Sequence, residues 1–122
     1  SCKYCPGVLL GNTYKQVERL YEAHQRQYIL IEKNDSTLSY LNKEGFIASY
    51  TFKYYEGTKY CTTSSVLLDC MSGEELIGTH RNNWRYINDS VWLYDTVNYD
   101  IPITVTLTYV DDKMLFTYKY IP

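Results

Sequence analysis

Few side chains in this sequence can move a proton near neutral pH. There are two imidazoles, His24 and His80, beside 14 carboxylates. His80 stands between Thr79 and Arg81, a few residues after Glu74 and Glu75, and an imidazole within reach of a carboxylate is the minimum acid and base pair for hydrolysis. No positioning motif surrounds it, so a solvated loop histidine is the expected state. His24 falls on the apolar side of an expected helix and should pack there. Arg81, Trp84 and Arg85 interleave two cations with an aromatic ring, a set that can stack on a base and touch a phosphate. The same three residues also read as a surface loop with one anchoring Trp, or as part of a protein interface, where Trp and Arg concentrate binding energy.

Cys2, Cys5, Cys61 and Cys70 are an even set in a chain of 122 residues, which suits two disulfides in an oxidising compartment. Of the three pairings, those crossing from Cys2 and Cys5 to Cys61 and Cys70 are favoured, because they remove far more unfolded-state entropy than a bridge within Cys-x-x-Cys. Zinc is the alternative for four thiols, but Cys61 and Cys70 lie nine positions apart and form no second tight pair. No metal or cofactor is therefore expected. The opening at Ser1, without Met or an apolar presequence, reads as a mature secreted product. Asn34-Asp35-Ser36 and Asn88-Asp89-Ser90 are sequons that matter only after secretion.

The elements that must position these groups follow from hydrophobic periodicity. Thr13 followed by Gln16 fits a capping box, and Val17, Leu20, Tyr21, His24 and Tyr28 then recur at helical spacing, predicting one helix over 14–28. After it the period falls to two. Phe46, Ala48, Tyr50, Phe52 and Tyr54 alternate with a mixed face, and Ile103 to Tyr109 turns at Asp111-Asp112-Lys113 into Met114 to Tyr120, a β-hairpin. Residues 62–70 and 90–94 read as further strands, with Ser72-Gly73 and 78–83 as loops. No repeat or linker breaks the chain, so the expectation is one α+β domain over 1–122, a single helix packed on an antiparallel sheet.

A net charge of −2 disfavours tight, sequence-independent binding to nucleic acid, which needs a basic face. Weak RNA binding through a local group of lysines stays open. No stretch has the length of a membrane span, so no membrane association is expected. The 15 tyrosines exceed what strand faces need, and an exposed aromatic surplus points to a partner, with Tyr50, Tyr54, Arg81, Trp84 and Arg85 as the candidate binding surface.

Three features in order resemble the T1-type extracellular ribonucleases of fungi. They are Ser1-Cys2-Lys3-Tyr4-Cys5 with Pro6-Gly7, then Tyr14-Lys15-Gln16-Val17 opening the helix, then Tyr50 to Gly57 as the strand carrying their first catalytic residues. Thr104 to Tyr120 resembles their closing hairpin. The resemblance implies a T1-type ribonuclease-like fold, with a base, an acid and an arginine around the reacting phosphate. In this sequence Phe52 replaces the first histidine, Thr104 to Thr106 stand where the arginine is expected, and Tyr118-Lys119-Tyr120 where the final histidine is expected. A ring that cannot take a proton cannot serve as a base.

A ribonuclease-like scaffold without its acid and base resembles the secreted effectors of powdery mildew fungi. That resemblance implies a monomeric, catalytically inactive avirulence effector, secreted and then active in the host cytoplasm, with a host protein such as a plant immune receptor or its target as partner. Tyr4 and Cys5 are adjacent here and no late cysteine occurs, which departs from that family's pattern. The alternatives are an active secreted ribonuclease with rearranged catalytic groups and a cystatin-like protease inhibitor. The inhibitor's Gln-x-Val-x-Gly string is absent.

Overall fold

A computed structural model describes residues 9–79, 84–88, 91–94 and 103–120, for Trp84 and Tyr94 the backbone alone. Thr13 caps the first helix, α1 (Tyr14–Glu22), as its spacing to Gln16 predicts. Its Oγ1 accepts from the Gln16 amide at 3.2 Å while its own amide donates to Gln16 Oε1 at 2.8 Å. The helix ends at Glu22 instead of Tyr28. Beyond Tyr21 the run Glu22-Ala23-His24-Gln25-Arg26-Gln27 has no apolar side to pack, and the chain continues in turns, with the amides of Gln27 and Tyr28 both donating to the His24 carbonyl. His24 is accordingly exposed, not packed.

A four-strand meander follows: β1 (Tyr28–Lys33), β2 (Thr37–Asn42), β3 (Ile47–Tyr55) and β4 (Thr58–Asp69). A second helix, α2 (Cys70–Thr79), replaces the loop expected at Ser72-Gly73, so the helix is not single. Asp69 caps α2 through its Oδ1, which accepts from the Ser72 amide at 2.7 Å and thereby holds the carboxyl below its ordinary range. A second meander completes the described chain: β5 (Trp84–Asn88), β6 (Val91–Tyr94), β7 (Ile103–Val110) and β8 (Lys113–Tyr120). All eight strands form one antiparallel sheet in the order β1-β2-β3-β4-β8-β7-β6-β5. Among the described residues, the order of elements therefore runs twice as a helix and four strands, with the halves joined where β4 pairs with β8. The sequence shows no such repeat.

Register keeps one face apolar across the sheet. One row runs Tyr40, Ala48, Val66, Phe116 and Leu107; the next runs Leu38, Tyr50, Ser64, Tyr118, Val105 and Trp92. Both helices cover this face, α1 through Val17 and α2 through Leu76, each at most 1% exposed. The opposite face carries one hydroxyl row, Ser39, Ser49, Ser65, Thr117 and Thr106, and a second, Thr37, Thr51, Thr63 and Thr104, interrupted by Lys119. β4 is longer than β8, and its first half pairs instead with the N-terminal arm. Gly11 donates to the Cys61 carbonyl at 2.9 Å and the Cys61 amide donates to Asn12 at 2.7 Å.

Gly73 sits where α2 crosses Met114, and a Cβ there would fall against the Met114 sulfur and 3.1 Å from its Cβ. Alanine is the better helix former by roughly 1 kcal/mol. Gly73→Ala is nevertheless expected to destabilise the domain by about 1–3 kcal/mol in urea unfolding, and Met114→Ala in that background to recover part of the loss.

Candidate functional site

Two of the segments singled out above come together. The capping box places Tyr14 in the first turn of α1, with its ring edge-on to Phe52 at 4.9 Å between centroids and its hydroxyl donating to the Asn34 carbonyl at 2.9 Å. On the other side the β3–β4 hairpin turns through Glu56 and Gly57, both at positive φ (49° and 84°), the conformation of the tightest hairpin turns, for which glycine is suited. That turn brings Tyr54 and Lys59 to the same side. Between helix and hairpin lies a cleft of about 540 Å³, walled by Tyr14, Lys15, Glu18, Tyr54, Thr58 and Lys59.

The Lys59 ammonium hangs 3.7 Å over the Tyr14 ring and 5.8 Å from the Tyr54 ring, and it donates to the Asp35 carbonyl at 3.0 Å. Glu18, the wall's carboxylate, is held by Lys33 at 2.5 Å, and that contact raises the Lys33 pKa. Partial burial raises the Tyr14 phenol. The cleft is thus suited to stacking and to anion contact.

Further along α1 a cluster of tyrosines packs against the core. Tyr21 stacks on Tyr40 at 3.8 Å, meets Tyr28 edge-on at 4.8 Å, and shares a 2.5 Å hydroxyl contact with Tyr50. Burial pushes the phenols of Tyr21 and Tyr50 well up, and Tyr40 up to about 12, so these hydroxyls hold their protons at neutral pH.

The candidate surface read from the sequence does not form one patch. Tyr50 is 1% exposed and lies under α1, whereas Tyr54 is 70% exposed and borders the cleft. Arg85 is exposed on β5, the opposite edge of the sheet, five strands or about 24 Å from β3 at ~4.8 Å per strand. Trp84 and Arg85 are strand residues, paired with Tyr94 and Leu93, and not part of a loop. Arg81 and His80 lie outside the described residues; Glu74 and Glu75 are exposed on α2. The sequence does not single out Lys15 or Lys59 as binding residues, although Lys15 lies within the Tyr14 to Val17 segment and Lys59 two positions past Gly57.

Cys61 is buried and Cys70 exposed, both as free thiols; Cys2 and Cys5 lie outside the described residues. Cys61 lies near the start of β4 and Cys70 just past its end, in the first turn of α2, about 25–30 Å apart at ~3.3 Å per residue, far beyond the ~4.4–6.8 Å between Cα atoms that a disulfide needs. They cannot bridge to each other. Among the described residues no three His, Cys, Asp or Glu side chains are grouped to hold a metal ion, and no helix is long and apolar enough to cross a membrane. No protein-family model matches the sequence, and no curated protein or solved structure matches it.

Proposed function

We propose that this domain recognises a partner and does not cut RNA: a secreted effector, active in the host cytoplasm, that engages a host protein and is open to detection by a plant immune receptor. One observation carries the reading. Phe52, at the position where the resembled ribonucleases place a base, is 3% exposed and packed against Tyr14 beneath α1. A side chain so enclosed supports the helix, while the neighbouring exposed rings, Tyr54 and Tyr55 at 70% and 68%, are free to meet a partner.

The ribonuclease-like frame is part of the proposal, located in α1 laid over β3 and in the closing β7–β8 hairpin, with α2 and the remaining strands as elaborations. The purified protein is expected to leave a guanine-containing RNA uncut over hours at neutral pH. Turnover that vanishes in His80→Ala would overturn the reading and favour a ribonuclease with rearranged catalytic groups.

A further inference from the structure

We propose that the cleft between α1 and the β3–β4 hairpin binds an aryl phosphate monoester, a phosphate carried directly on a flat ring as in a phosphotyrosine side chain. The inference rests on the recognition reading and names the ligand chemistry of that same site.

Among the described residues, the partners of the Lys59 ammonium are the Tyr14 and Tyr54 rings and the Asp35 carbonyl, none of which carries a charge. Lys15 is exposed on the same wall. The one carboxylate lining the cleft, Glu18, is already engaged by Lys33. Two ammonium groups without a carboxylate partner thus face a space whose acidic group is neutralised. A phosphate monoester, with a second pKa of about 6, carries close to two negative charges at neutral pH and matches them. Lysines serve phosphate as point charges.

Tyr54 offers an exposed ring face at the mouth, and its centroid is only 5.8 Å from the Lys59 nitrogen. A ligand ring stacked on Tyr54 therefore places a directly attached phosphate against Lys59, whereas a sugar between ring and phosphate overshoots. A cleft of about 540 Å³ accommodates a ligand of this size.

The test is a calorimetric titration of the intact domain with phenyl phosphate and N-acetyl-phosphotyrosine amide, beside inorganic phosphate, N-acetyl-tyrosine amide and a nucleoside monophosphate. The aryl phosphates are expected to bind at least about tenfold more tightly than each of the other three. Lys15→Gln and Tyr54→Ala alter exposed side chains, so the fold should survive, with thermal unfolding as the check; each is expected to weaken phenyl phosphate binding about three- to tenfold. Equal affinity for inorganic phosphate, tighter binding of the nucleoside monophosphate, indifference to both substitutions, or no saturable binding overturns the assignment. Those results leave the RNA cleavage test untouched, so the ligand and the recognition reading fail separately.

Discussion

Raised above about pH 10, the domain is expected to lose stability steeply, by about 8 kcal/mol at pH 12, and to unfold as one unit when that loss exceeds its stability. Burial raises the pKa of Cys61 from 9.0 to about 12, and it raises Tyr21 and Tyr50 well above their ordinary 10.0. The sign follows from where the protons are. Once pH passes the ordinary value, the unfolded chain releases these protons while the folded chain keeps them, so the unfolded state gains. Below pH 9 none of these groups contributes a difference. Each group then removes about 1.4 kcal/mol per pH unit, and together the three remove about 4 kcal/mol per unit above pH 10. Against a total stability of about 5–15 kcal/mol, the loss of about 8 kcal/mol reached by pH 12 exhausts the lower part of that range and removes more than half of the rest. Phenolate absorbance and near-UV circular dichroism, followed against pH, should change together. Cys61→Ala should move the onset from about pH 9 towards pH 10. Gradual, independent ionisation of the tyrosines with tertiary signal retained at about pH 12 would contradict the buried cluster.

Phe52→His, which restores the ring type found in the resembled ribonucleases, is expected to cost about 2–4 kcal/mol and to yield no turnover. Phe52 is 3% exposed, edge-on to Tyr14 and opposite Cys61 across the strand pair. An imidazole there buries two nitrogens among an aromatic ring and a thiol, and the thiol already donates to the Thr63 carbonyl. Burial also lowers the pKa of such an imidazole, so the unfolded chain would take up the proton first and the deficit would grow as pH falls below about 6.5. Urea unfolding at mildly alkaline and mildly acidic pH, with an RNA cleavage assay on the same protein, checks both parts. A variant as stable as the parent that cleaves RNA would show that this position opens onto a working site.

The capping box at Thr13, the period-two pattern of β3 and the β7–β8 hairpin were all legible, because each is a local pattern of spacing or turn chemistry. The β1–β2 hairpin is not legible, since Ile29-Leu30-Ile31 is a continuous apolar run without alternation and continues directly from the helical pattern. α2 was hidden by Ser72, Gly73 and Gly78, poor helix formers that it tolerates because Gly73 lets it approach Met114 and Leu76 fills the core. Tyr50 and Tyr54 looked equivalent on one strand face. The structure separates them, because α1 covers the middle of β3 and stops short of its tip.

What the chain determines locally is its periodicity, its caps and its turns, together with the absence of an imidazole at position 52. Those features depend on neighbours a few residues apart. The joining of two meanders through β4 and β8, the burial of Tyr50 beneath Tyr21, and the meeting of Tyr14 with Lys59 across 45 positions depend on which faces pack together. Hydrophobic burial has no direction of its own, so the partner of each apolar face is decided only when the whole sheet and both helices close over one core.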